Sequence, residues 1–139
     1  MIVLILLVAA AFTRAEEVRL PGLGEPVEIL RDRWGVPHIY ARNQDDLFFA
    51  QGYIAARDRL WQIDVWRRAG AGRLSEAFGD RFLERDRMAL LVRFRGDWKR
   101  EWTSYAPDTW QIAGAFVNGV NAFIRSPGFR LTADFRAAG

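Results

Sequence analysis

His38 is the only imidazole in the chain, and so the natural candidate for a general base. It stands in a Pro37-His38-Ile39-Tyr40 run with no serine nearby, and the chain has no cysteine. A structural reading, in which the ring bonds to backbone beside a hairpin, outweighs the catalytic one. The hydroxyls fare no better. Ser75 falls one turn into a short helical stretch beside Glu76, with no local base. Ser104, Ser126, Thr103, Thr109 and Thr132 fall at helix ends or in loops. No Gly-x-Ser-x-Gly elbow or Ser-x-x-Lys pair occurs. An N-terminal nucleophile that uses its own α-amine as base must be Ser, Thr or Cys. Cleavage after Ala15 would expose Glu16, which cannot attack. One histidine and no cysteine also exclude a His- or Cys-rich metal centre. No catalytic, cofactor-binding or metal-ligating residue is therefore assigned.

Charged and amide side chains inside apolar stretches are the next candidates. Arg57-Asp58-Arg59 interrupts a run of apolar helical residues. Three consecutive residues fan over about 200° of a helix, so at least one should face the packed side. A buried charge needs a hydrogen-bonded partner. A structural ion pair from Asp58 or Arg59, through Arg31 or Asp32, outweighs both a solvated face and direct catalysis. Asn118 and Asn121 interrupt the last long apolar run. Packing with a backbone hydrogen bond outweighs substrate contact for both, and Gly119 between them suits a close helix contact.

These groups need elements to position them. Residues 16–26 carry Pro21, Gly22, Gly24 and Pro26 and read as an extended opening segment. Val27–Leu30 and Val36–Tyr40 are β-prone, and Gly35 suits a tight connection between them. An antiparallel hairpin follows, with Pro37 at an edge or strand start because it lacks an amide donor. Asn43 is a good N-cap, with Asp45 and Asp46 in the first turn. The helix it opens should run to about Arg68, with Gly70 beyond. That is roughly 38 Å at about 1.5 Å per residue. Its apolar residues cover most of its circumference, so it wants cover on most sides. Gly72–Gly79 reads as a short helix closed by glycine. A further helix covers about Phe82–Ser104, capped by Asp80, with Gly96 marking a bend or break and Glu84 and Arg87 spaced as a surface pair. The last helix covers about Asp108–Ile124, after a proline restart at Pro107. The six Trp and ten Phe fall mostly at helical spacing and read as packing residues.

Half of the 139 residues are hydrophobic and 27% are charged, a globular composition. Nineteen of the twenty basic residues are Arg, scattered among 17 acids for a net charge of +3. Binding nucleic acid by counterion release needs a concentrated basic face. This distribution lacks one, so no nucleic-acid partner is expected. Ile2–Phe12 is an unbroken apolar run followed by Thr13-Arg14-Ala15. It is shorter than the roughly 20 residues of a membrane span and suits a secretory signal over residues 1–15. Export to a periplasm or beyond is the expectation, with no membrane attachment after cleavage. An uncleaved anchor is the alternative.

Arg31-Asp32, Gly35-Val36-Pro37-His38-Ile39-Tyr40-Ala41, Asp46, Gly52-Tyr53, Ala56, Asp58-Arg59-Leu60, Gln62, Arg67-Arg68, Gly72, Leu74, Glu76 and Gly79 form a collectively specific block. Weaker matches continue through Asp86, Tyr105-Ala106-Pro107 and Gly119-Val120-Asn121-Ala122-Phe123-Ile124. The block resembles the N-terminal part of the α-chain of the penicillin acylase family of N-terminal-nucleophile hydrolases. Residues 27–131 form that region, incomplete, and residues 132–139 a divergent tail.

The resemblance implies an α+β fold. This chain would be a mostly helical piece with an N-terminal β-hairpin, part of a four-layer αββα sandwich in the complete protein. It also implies a precursor cut into α- and β-chains, and hydrolysis of linear amide bonds in small acylated amines such as penicillins or acyl-homoserine lactones. A Ser freed at the β-chain N-terminus would attack the amide, and an oxyanion hole would hold the intermediate. Calcium binds in many members. The Ser, the oxyanion groups, the calcium ligands and the acyl-pocket residues have no matched positions here. The β-chain of the same precursor is the implied partner, and the piece alone should be inactive. The competing reading is a free-standing helical binding protein without catalysis.

Overall fold

The structure is a computed structural model that describes residues 20–127 and 129–137. The apolar run Ile2–Phe12 and the cleavage site after Ala15 lie outside the described residues.

Two strands, β1 (Glu28–Arg31) and β2 (Pro37–Tyr40), form an antiparallel hairpin in the register Glu28↔Tyr40 to Arg31↔Pro37. The turn is built by Asp32. One carboxylate oxygen accepts from the Trp34 and Val36 amides at 2.8 and 2.9 Å, which pre-forms the reversal locally. Gly35 sits at φ +81°, where a side chain would be strained. Pro37 opens β2, so its missing N–H costs no central ladder bond.

Helix α1 (Gln44–Ala71) starts where Asn43, in extended backbone, accepts the Asp46 amide on its side-chain oxygen at 2.8 Å. It passes the expected stop near Arg68. Gly70 is tolerated inside the last turn, and Gly72, at φ +67°, takes the left-handed position that ends the helix. Within α1, Arg59 leaves helical geometry (φ −142°, ψ 28°) and kinks the rod.

The connection then runs through α2 (Ser75–Phe78), a 3-10 turn (Asp80–Phe82), α3 (Leu83–Val92) and α4 (Trp98–Trp102). The expected single helix over Phe82–Ser104 is thus two, parted by Arg93–Asp97 around Gly96. Asp80 lies in the 3-10 turn and not at a cap; the residue before α3 is Phe82, which has no capping side chain. The expected surface pair is present, Arg87 Nη1 to Glu84 at 3.1 Å. Helix α5 (Thr109–Ile124) follows, and α6 (Ala133–Ala137) is a final short turn.

Helices α1 and α5 make the main seam. Gln44 donates to Asp108 and Gln111 to Asp45 near their N-termini, and Tyr53 meets Phe123 edge-on at 5.6 Å further along. The two helices therefore run in the same direction. Parallel neighbours cannot be joined by a short loop, so residues 72–108 serve as the return path. Two glycines let the backbones touch: a Cβ on Gly52 would overlap the Phe116 carbonyl, and one on Gly119 the Phe49 carbonyl. The close-contact expectation for Gly119 holds.

The core is small. Among the described residues Phe49, Ala50, Tyr53, Ile54, Ala56 and Leu74 are buried, but no large side chain is fully enclosed. Burying a large apolar side chain is worth roughly 1.5–3 kcal/mol, and this core collects few of them. Trp34, Trp66, Leu91, Val92, Trp98 and Trp110 all face solvent.

Candidate functional site

The candidates scatter. His38 Nε2 lies 3.4 Å from Asp32 Oδ2 on the exposed outside of the hairpin. Its partner is a side chain, not the backbone group expected. The Asp32 carboxyl is held below the usual carboxylate range, chiefly by the Val36 amide, so it is a poor proton acceptor. The pair stabilises a turn and lacks a nucleophile.

Arg57, Asp58 and Arg59 are all exposed, so none of the triplet is buried in the core. The regular 100° step assumed for a continuous helix fails at Arg59. The expected cross-link does form. Arg31 Nη2 lies 2.8 Å from both Asp58 oxygens, and its Nη1 donates to the Gly35 carbonyl. One guanidinium thus ties helix, strand and turn together.

Asn118 is exposed and Asn121 half-buried. Neither side chain makes a hydrogen bond among the described residues, contrary to expectation; the face of α5 against α1 is taken by Gly119.

Ser75 does have a carboxylate neighbour. Its hydroxyl donates to Asp86 Oδ2 at 2.6 Å, while Asp86 also accepts the Leu74 and Ser75 amides, each at 2.8 Å. Burial acts to raise the Asp86 pKa, but these donors prevail and hold it low. A carboxylate saturated in this way is a staple, not a base. Asp46 is built alike. It accepts the Gly24 and Glu25 amides at 2.8 and 2.9 Å and the Asn43 side-chain amide. Burial again pushes its pKa up, and the Gly24 amide, Asn43 and the Glu25 amide outweigh that and hold it low. Sequence reasoning placed Asp46 only as a first-turn acid and missed both staples. Their backbone partners leave no residue-type signature.

A cavity of about 310 Å³ lies at the α1 kink, among Trp61, Phe123, Phe129 and Phe135 with Arg59 and Arg130 at its rim. Thr132, Asp134 and Phe135 help to line it, and Phe135 meets Trp61 edge-on at 4.8 Å. Among the described residues no three His, Asp or Glu side chains are gathered to hold a metal ion. No helix of the described residues is long and apolar enough to cross a membrane.

What the described residues offer is therefore a scaffold without a paired nucleophile and base. Known proteins supply the context. The chain is 36% identical over 107 residues to the penicillin acylase 2 proenzyme of Pseudomonas sp. (strain SE83), covering 77% of this chain and 14% of that one. It is 32% identical over 109 residues to the penicillin G acylase of Escherichia coli, covering 76% and 13%. It is 32% identical over 120 residues to the acyl-homoserine lactone acylase QuiP of Pseudomonas aeruginosa, covering 86% and 14%. The chain thus spans about one-seventh of the length of these relatives. Among solved structures, the thermostable penicillin G acylase of Alcaligenes faecalis superposes with a TM-score of 0.63 at 29% identity, covering 71% of this chain and 53% of that chain. The profile of the family described as penicillin amidase matches residues 26–139. With the hairpin, the capped long helix and the Arg31–Asp58 tie all inside that span, the chain belongs to the penicillin amidase family.

Proposed function

We propose that this chain is the opening part of the α-chain of an exported acylase that hydrolyses linear amide bonds in small acylated amines, penicillins or acyl-homoserine lactones among them. The family match over residues 26–139 carries the reading. In it the nucleophile is a Ser at the head of a β-chain outside these 139 residues. The Ser uses its own α-amine as base, forms an acyl-enzyme and releases the acid on attack by water. The part played here is mechanical. Arg31, Asp46 and Asp86 fix the hairpin, the opening segment and the turn into α2 on a helical frame. Calcium, which the resemblance implies, finds no gathered carboxylate set among the described residues, and no step is routed through it. A periplasmic or secreted location follows from the apolar run before Ala15.

The test is hydrolysis of phenylacetyl amides, penicillin G and acyl-homoserine lactones, with the released amine measured. The chain alone should be inert. The polypeptide encoded by the whole gene, read through beyond Gly139, should be active. Turnover by the isolated chain, or an inert whole-gene product with a Ser-led segment, would overturn the reading.

A further inference from the structure

The cavity at the α1 kink combines aromatic walls with guanidinium groups. Its volume of about 310 Å³ falls at the small end of small-molecule sites, which run from roughly 300 to 1,000 Å³. Residues on both sides of the kink line it, Ala56 before Arg59 and Trp61 after. Ala56 is buried, and Leu60, Trp61, Phe123, Phe129 and Phe135 are half-buried around the same space. The rings hold one another in place. Trp61 meets Phe135 edge-on at 4.8 Å and Phe78 at 5.8 Å, and Phe123 meets Phe129 at 5.5 Å. A pocket whose walls are already fixed loses less entropy when a ligand enters.

The charges around it are unbalanced. Arg57, Arg59 and Arg130 belong to the lining, against Asp58 and Asp134. Asp58 is already held by Arg31 at 2.8 Å, which leaves Asp134 as the carboxylate opposing them. Among the described residues the Arg59 side chain makes no hydrogen bond or ion pair, and that of Arg130 donates only through Nη1, to the Phe129 carbonyl at 2.9 Å. A guanidinium presents its N–H donors in a rigid plane that matches a carboxylate. Aromatic walls beside spare guanidinium donors fit a flat apolar body bearing one anionic group. We infer that this cavity binds a small aromatic carboxylate, its ring among Trp61, Phe129 and Phe135 and its carboxylate at Arg59 and Arg130. Helix α6 supplies Asp134 and Phe135 to the lining, so the site is complete only with the end of the chain in place. The role is binding, and it stands apart from the hydrolysis proposed above.

Equilibrium dialysis of the whole chain against 2-naphthoate, with the uncharged 2-naphthylmethanol alongside, tests this. The unaltered chain should bind 2-naphthoate saturably at a single site, and more tightly than the alcohol. Arg59→Gln and Arg130→Gln should each weaken 2-naphthoate roughly tenfold, the worth of a charge-assisted hydrogen bond, and leave the alcohol unchanged. Arg130 lies outside every helix, so its variant decides the matter even if Arg59→Gln alters the kink. Phe135→Ala should weaken both probes, because it removes wall and not charge. Arg93→Gln, away from the cavity, should weaken neither. Absence of saturable binding by the unaltered chain overturns the inference, as does an alcohol that binds as tightly as the acid. Undiminished 2-naphthoate binding by Arg130→Gln or by Phe135→Ala overturns it too. Whole-gene hydrolysis is scored separately, so the proposed function survives a cavity that binds nothing.

Discussion

Replacing Gly119 by alanine puts a methyl group against the Phe49 carbonyl and the Tyr53 amide. The helices must part, and overpacking of this kind costs about 1–3 kcal/mol. Gly70 is the control: it is helical with open space around its Cβ position. Gly70→Ala should be neutral or gain up to about 1 kcal/mol. Urea unfolding of the two variants should therefore shift in opposite directions or differ by at least the Gly119 cost. The Arg31–Asp58 pair predicts a smaller effect. Both side chains are about a third exposed, so solvent weakens the pair. A double-mutant cycle with Arg31→Met and Asp58→Asn should give a coupling of about 0.5–1 kcal/mol. A coupling near zero would mean that the shared contact of Nη2 with both Asp58 oxygens adds nothing beyond water.

At the level of elements, stability should be uneven. The facing stretches of α1 and α5 around Phe49–Ala56 and Phe116–Phe123 hold the buried contacts, whereas Arg93–Trp102 has almost none. Amide hydrogen exchange on the chain should protect the first region most and leave the second close to unprotected. Protection spread evenly over both would contradict this fold. Much of this was readable from residue types. Asn43 followed by Asp45 and Asp46 announced the start of α1, Gly35 before Pro37 the hairpin, Asp58 a tie to the hairpin, and Gly119 a close crossing. What escaped had a common physical cause. Asp46 holds amides 21 and 22 residues away and Asp86 holds amides 11 and 12 away, and any residue but proline supplies an amide. The kink at Arg59 lies among good helix formers, so residue propensities gave no sign of it. Gly96 announced a break in the helix but not its five-residue extent.

For the whole molecule, acid is the condition that should matter. Asp32, Asp46, Asp64, Glu76 and Asp86 are all held below the ordinary carboxylate range by hydrogen bonds or arginines. At a given pH each binds fewer protons folded than unfolded. Each therefore contributes stability above the unfolded carboxylate range, about pH 4, and loses it as pH falls through the lowered folded value. The urea midpoint should stay flat from about pH 7 to 5 and drop steeply below about 4. Asp46→Asn with Asp86→Asn should lower the plateau and flatten that acid limb. An unchanged limb would show that other groups carry the acid response.

The α1–α5 crossing also governs how this scaffold can be recombined. Its tightest points are glycine against main chain, at Gly52 with Phe116 and Gly119 with Phe49, so neither side offers atoms that could be trimmed to absorb a mismatch. Hybrid genes joined between Gly72 and Asp108 would bring together crossings from two parents, and any offset of a single position would set methyl-bearing backbone against carbonyl oxygen. Breakpoints ahead of Pro26 leave both partners from one parent, and that is where swaps of leader and body should be made.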